Sequence, residues 1–174
     1  LHLMQQKIIQ PALLWYIKVA NHQKPLLDTD FQLCANYKGA IMFKFGDRSK
    51  EKLEGVHEDL QTIMYEAIKL SPIDFGITEG MRSLERAEQL KAEGLSKVGS
   101  KSKHCRGLAV DIVCYNGGKV TWDLDFYEAV AQVVGEVCDI VDIKVRWGGS
   151  WETGNFKLNR DMGFIDAVHF ELGE

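Results

Sequence analysis

The chain has 174 residues, 45% of them hydrophobic, enough for one well-buried domain and short of two. Its formal charge of -4 offers no basic field that could hold a phosphate backbone, so nucleic acid is excluded as a partner. No apolar run reaches the roughly 20 residues that cross a bilayer, and the most hydrophobic N-terminal patch, PALLWYIKVA, is short and carries Lys18, so neither a signal peptide nor a membrane anchor is expected.

Residues 1–41 begin with Leu1, contain two prolines in PALLWYIKVANHQKPLLDTD and show no clear helix or strand pattern. Just before Met42 stands KGAI, and one coding of KGAIM, AAAGGAGCAATTATG, holds a purine-rich ribosome-binding sequence at start-codon distance. The expectation is that Met42 is the true start and 1–41 are upstream sequence read in frame; a genuine N-terminal extension is the alternative.

In VHEDLQTIMYEAIKL, residues 56–70, the apolar positions Val56, Leu60, Ile63, Met64, Ala67 and Ile68 recur at helical spacing, and Ser71-Pro72 stops the helix. DFGIT, residues 74–78, reads as a short strand. Ser83 then caps a second helix that ends near Gly94, and SKVGSKSK follows as a polar loop. GLAVDIVC, residues 107–114, is a strand. Asn116, Gly117 and Gly118 make a turn, and Asp123 caps a helix with Phe126, Val130, Val133, Val134 and Val137 inward. IKVRW, residues 143–147, is another strand, and the loop WGGSWETGNFKLNRDMGF is long enough to suggest function. VHFEL is the last strand. Short strands without regular alternation with helices predict an α+β fold, a small antiparallel sheet with flanking helices. Cys34, Cys105, Cys114 and Cys138 lie far apart with no CxxC pair and read as reduced, mostly buried thiols.

Strand parity isolates the chemistry. In GLAVDIVC, Leu108, Val110, Ile112 and Cys114 share one face, while Asp111 shares the other with Gly107, Ala109 and Val113. In VHFEL the same rule sends Val168, Phe170 and Leu172 into the core and aims His169 and Glu171 the other way. His104, at the mouth of one strand, Asp111 within it and His169 on another form the kind of three-ligand set a catalytic zinc uses while keeping one position for water. Spacing alone leaves alternatives open, since a single histidine is more often a hydrogen-bonded or surface residue and an aspartate in a strand can pair with an arginine or cap a turn.

SKHCRGLAVDI, the upstream TEGMRS, the WGGSW box and the terminal DAVHFEL occur in that order, and together they resemble the peptidoglycan-cleaving zinc peptidases, the D-alanyl-D-alanine carboxypeptidases and phage L-alanyl-D-glutamate endopeptidases. The likeness is greatest to the phage endolysins and spans about residues 42–174, FGDRSKEKLEGVHEDL resembling the way such endolysins begin. It implies a hedgehog or D-Ala-D-Ala-peptidase-like fold, with 42–174 as the catalytic domain. One zinc ion would be held by His104, Asp111 and His169. Asp166 would be the general base, and Arg82 would lie near the substrate and the developing oxyanion, a surface salt bridge being its alternative.

Ser102, Trp147 and Trp151 resemble pocket-wall positions, with core burial the alternative for Trp147, and Glu171 would orient a ligand histidine. Two departures, Ser150 in place of aspartate in the WGG box and Ala87 in place of glutamine after the arginine motif, weaken detailed substrate contacts. His57 and Cys105 are assigned to scaffold and Arg106 to a solvated loop. The implied partner is the peptidoglycan stem peptide, cut at its L-alanyl-D-glutamate bond by a monomer made in the host cytoplasm that acts on the wall during lysis. Two rivals are a D,D-carboxypeptidase releasing terminal D-alanine and a non-catalytic zinc- or wall-binding domain.

Overall fold

The computed structural model describes residues 42–173, and the expectations for residues 1–41 lie outside them. Among the described residues, the helices are α1 (Asp47–Leu53), α2 (Glu58–Leu70), α3 (Leu84–Ala92) and α4 (Leu124–Val141). The strands are β1 (Asp74–Glu79), β2 (Ala109–Asn116), β3 (Lys119–Thr121), β4 (Val145–Trp147) and β5 (His169–Leu172). The sheet runs β1-β2-β5-β4, with β3 paired to β2, and every pairing is antiparallel. The fold is α+β, as the pattern of elements predicts.

Two helices start at the caps read from the sequence, Ser83 and Asp123, and α2 starts two residues inside the 56–70 stretch. His57 caps α2 by accepting from Asp59 N at 3.3 Å, Ser83 caps α3 by accepting from Arg86 N at 3.2 Å, and Asp123 caps α4 by accepting from Asp125 N at 3.1 Å. Leu60, Ile63, Met64 and Ala67 of α2 and Val130 and Val134 of α4 are fully buried. They share one cluster with Phe75, Ile77, Val110, Ile112, Cys114, Val145, Trp147 and Phe170 from the sheet. Burying each large aliphatic side chain contributes about 1.5–3 kcal/mol, so this cluster fixes the sheet to its helices. Cys114 and Cys138 are buried free thiols, and burial pushes both up to about 12.

Two elements escape the sequence reading. Helix α1 has few apolar positions, and Leu53, at 1% exposure, anchors it. Its Ser49 hydroxyl accepts from Ile77 N at 3.1 Å, tying α1 to β1. Strand β3 is three mostly exposed residues whose existence depends on pairing with β2 across a turn in which Gly117 and Gly118 have φ of 57° and 77°. The polar loop after α3 holds two short 3-10 turns, Gly99–Lys101 and Lys103–Arg106. No helix among the described residues is long and apolar enough to cross a membrane.

Candidate active site

The sheet's other face carries polar groups in two rows. In the first, Glu79 on β1 stands opposite Asp111 on β2, which stands opposite His169 on β5. In the second, Ala109 on β2 pairs with Glu171 on β5, which pairs with Arg146 on β4. A β-bulge between Ile77 and Glu79 brings Glu79 level with Asp111, while Thr78 Oγ1 donates to Asp111 O at 3.1 Å. Bulges commonly re-aim side chains in this way beside functional sites.

His104 comes from the 3-10 turn that feeds β2. Its ring reaches the same point as Asp111 and His169, the potential ligand atoms all lying within 4.8 Å of one another. His104 Nε2 is 3.2 Å from His169 Nδ1 and 3.2 Å from Asp111 Oδ1, and His169 Nδ1 is 3.0 Å from Asp111 Oδ1.

The outer nitrogens decide what this triangle is. His104 Nδ1 lies 2.8 Å from Gly80 O, a carbonyl that can only accept, so Nδ1 carries a proton and Nε2 turns its lone pair inward. His169 Nε2 lies 3.0 Å from Glu171 Oε2, so Nε2 carries the proton and Nδ1 faces inward. Three acceptors therefore converge, an arrangement that repels itself unless a cation sits among them. A tetrahedral ion with ligands at about 2.0–2.2 Å needs ligand atoms about 3.3–3.6 Å apart, so the triangle, at 3.0–3.2 Å on each side, is slightly tighter than one face of such a site.

Electrostatics points the same way. Burial works against a charge on Asp111, but hydrogen bonds and charge from His104 and His169 hold its carboxyl well below the usual range. Burial also opposes a charged His169, yet its bonds to Asp111 and Glu171 raise it to about 9. Because the folded pKa is raised, His169's stabilising contribution is full below its ordinary 6.5 and disappears as pH climbs through about 9. The stability gap between parent and His169→Gln, both stripped of metal and measured by urea unfolding, is expected to narrow over that window.

The backbone behind His104 admits no side chain. A Cβ on Gly80 would lie 1.9 Å from Lys52 O, which is rigid helix backbone. Gly80→Ala is expected to cost about 1–3 kcal/mol through forced displacement. Because the moved carbonyl is His104's partner, any metal held through His104 should bind more weakly; calorimetry and metal titration together check this.

Arg82 is buried, donates to Glu79 through Nε at 2.8 Å and through Nη2, and sets Nη2 3.7 Å from Asp111 Oδ2. The hydrogen bonds it donates to Glu79 raise its pKa, outweighing burial. Asp166 sits at the junction into β5, its N donating to Gly148 O at 2.9 Å and its O accepting from His169 N at 3.0 Å. Burial raises its pKa, and His169, His104 and Arg82 pull against that rise while Asp111 adds to it.

Comparison with known proteins is decisive here. The model of the phage L-alanyl-D-glutamate peptidase family matches residues 41–173. The chain belongs to that family. It is 37% identical over 136 residues to the L-alanyl-D-glutamate peptidase of Escherichia phage T5, covering 76% of this chain and 99% of the phage protein. It is 30% identical over 113 residues to the peptidoglycan L-alanyl-D-glutamate endopeptidase CwlK of Bacillus subtilis strain 168, covering 58% of this chain and 61% of CwlK. The crystal structure of the Serratia marcescens L-Ala D-Glu endopeptidase ChiX superposes with a TM-score of 0.66 at 33% identity, covering 79% of this chain and 94% of ChiX.

In this family member Trp151 flanks the site, its ring 5.5 Å from that of His169. Trp147 does not form a pocket wall. It is fully buried, stacks on Phe170 and donates from Nε1 to Ala167 O at 2.8 Å, so it supports from below the segment that carries Asp166. Ser102 is buried immediately before the turn that carries His104, its carbonyl accepting from Cys105 N at 3.0 Å. Ser150 is also buried and donates to Asn155 O, which holds the WGG loop together.

Glu171 lies on the side of its strand that parity gave it, its Oε2 3.0 Å from His169 Nε2. Burial opposes its charge, but His169, Arg146 and Lys103 lower it to about 2. Glu79 and Arg146 went unnoticed in the sequence. Glu79 lies three residues before Arg82 in the TEGMRS motif, and Arg146 takes the opposite parity to Val145 and Trp147 in VRW; those were the available signals.

Proposed function

We propose that this chain hydrolyses the L-alanyl-D-glutamate bond of peptidoglycan stem peptides, with residues 42–174 as the catalytic domain and His104, Asp111 and His169 holding one zinc ion. The observation that carries this reading is the triangle of three inward-facing acceptors, 3.0–3.2 Å on each side. Two nitrogens and one oxygen suit zinc and leave a position open. When bound, the ion supplies Lewis acidity and makes water nucleophilic near neutral pH. The bond chosen is supported by the names of the relatives from phage T5, Bacillus subtilis and Serratia marcescens.

The chain's own groups then divide the work. Asp166 takes a proton from the attacking water and passes it to the leaving amine, its burial keeping it from being a weak, fully solvated base. Arg82, fixed by Glu79, presents positive charge beside Asp111, where the scissile carbonyl gains negative charge or a stem-peptide carboxylate docks. Trp151 walls the cleft beside His169. Glu171 holds the His169 ring. The setting is the wall of an infected bacterium at lysis, after synthesis in the host cytoplasm.

Digestion of purified walls with and without chelator, followed by mass analysis, tests both parts. Fragments with a new N-terminal D-glutamate that vanish on chelation and return with zinc are expected. Release of free D-alanine overturns the bond assignment, and chelator-resistant cleavage overturns the metal.

A further inference from the structure

We propose that Arg146 is a positioning residue for the metal centre, holding His169 in its ligating orientation through both Glu171 and Trp151. This inference deepens the metal reading above and rests on it. The β4–β5 register sets Arg146 directly opposite Glu171. The carboxylate then divides its two oxygens. Glu171 Oε1 accepts from Arg146 Nε at 2.7 Å and from Nη2, with Lys103 Nζ 3.5 Å away, while Oε2 faces His169 Nε2 at 3.0 Å. A planar guanidinium with two N–H groups on one oxygen stops the carboxylate from swinging, which the point charge of a lysine cannot do.

The same guanidinium lies 5.4 Å above the Trp151 ring, and that ring borders His169. Trp151 has φ of 56°, a left-handed conformation rare for a bulky residue that persists only where its surroundings hold it. Its holders are Trp147 O, which accepts from Trp151 N at 2.7 Å, and Phe164, whose carbonyl accepts from Nε1 at 3.1 Å and whose ring stacks at 6.0 Å. Arg146 covers Trp151 as well. One residue thereby grips the group behind the His169 imidazole and the group against its face. The bland account is a surface ion pair worth about 0–1 kcal/mol with no consequence for the metal.

Arg146 is 39% exposed at its side chain, so its replacement leaves the core intact. The test uses zinc affinity, measured by competition with a chromophoric chelator, and the visible spectrum of the cobalt(II)-loaded protein. Arg146→Met is expected to weaken zinc binding by about 10–100-fold, the range typical of partners that orient ligands, and to shift the cobalt bands. Arg146→Lys should recover part of the loss, and it carries the same measurement should the methionine variant fold poorly. In a Glu171→Gln background the further cost of Arg146→Met should shrink.

Parent-like affinity and spectrum in Arg146→Met overturn the proposal, as does an undiminished cost in the Glu171→Gln background. A parent that binds neither ion removes the metal reading and this inference with it, whereas a binding parent with an indifferent Arg146→Met removes this inference alone.

Discussion

Asp111→Ala is expected to weaken zinc binding on the order of 100-fold and to bring wall hydrolysis to background at limiting metal. The magnitude follows from closed zinc sites, whose four ligands together supply about 10–16 kcal/mol, so that one ligand's share is about 3 kcal/mol. As a proposed ligand, Asp111 would be more than one among three. Its Oδ1 is the negative corner of the triangle, 3.2 Å from His104 Nε2 and 3.0 Å from His169 Nδ1, and its Oδ2 faces Arg82. Without it, two imidazole lone pairs 3.2 Å apart confront each other with no counter-charge. His169 also loses a hydrogen bond that raises its pKa.

Asp111→Asn separates the effects: it keeps an oxygen donor and the shape but lacks the charge, and should fall between parent and alanine variant. Metal content after gel filtration in limiting zinc, read beside wall turbidity, gives the answer. Full stoichiometric zinc in Asp111→Ala would place the ion somewhere other than this triangle.

Much of the site was legible because two strands obey period 2. An aspartate inside GLAVDIVC and a histidine inside VHFEL each fall out of step with their apolar neighbours, and parity alone sends both to the face opposite Val110, Ile112 and Phe170. Parity cannot say which strands are neighbours. The meeting of Asp111 with His169 requires the β2–β5 register, and the β1-β2-β5-β4 order comes from long-range packing. Glu79 is hidden for a stronger reason, since its alignment with Asp111 exists only because of a bulge, a one-residue offset that no periodic pattern encodes.

Trp147 was decidable in principle. Val145 and Trp147 share a parity in VRW while Arg146 takes the other, so burial of Val145 implies burial of Trp147, and both are fully buried. Helix α1 and strand β3 are too short to carry their own periodicity. Each exists through a partner, α1 through Leu53 and the Ser49 to Ile77 bond, β3 through its pairing with Cys114, Tyr115 and Asn116.

The proposed metal-binding and proton-transfer roles fall on different residues, so one substitution should remove chemistry and spare the ion. Asp166→Asn is expected to lower kcat by about 10²–10⁴-fold, the usual contribution of a general base, with zinc content unchanged. Asparagine preserves size and backbone bonds but accepts no proton at neutral pH. The backbone that places residue 166 is independent of its side chain: Asp166 N donates to Gly148 O at 2.9 Å, His169 N donates to Asp166 O at 3.0 Å, and Trp147 Nε1 holds Ala167 O at 2.8 Å. Gly148 allows this approach, since a Cβ there would lie 2.3 Å from Asp166 O. The variant should therefore fold and keep its triangle.

Burial raises the Asp166 carboxyl, with the nearby imidazoles and Arg82 opposing the rise, so activity should fall as pH drops through a value above the ordinary 3.8 for aspartate. That acid limb should be missing from whatever activity Asp166→Asn retains. An asparagine variant that clears purified walls at the parent rate with its zinc in place would assign the proton transfer to another group, and the two imidazoles proposed to hold the ion would not be that group.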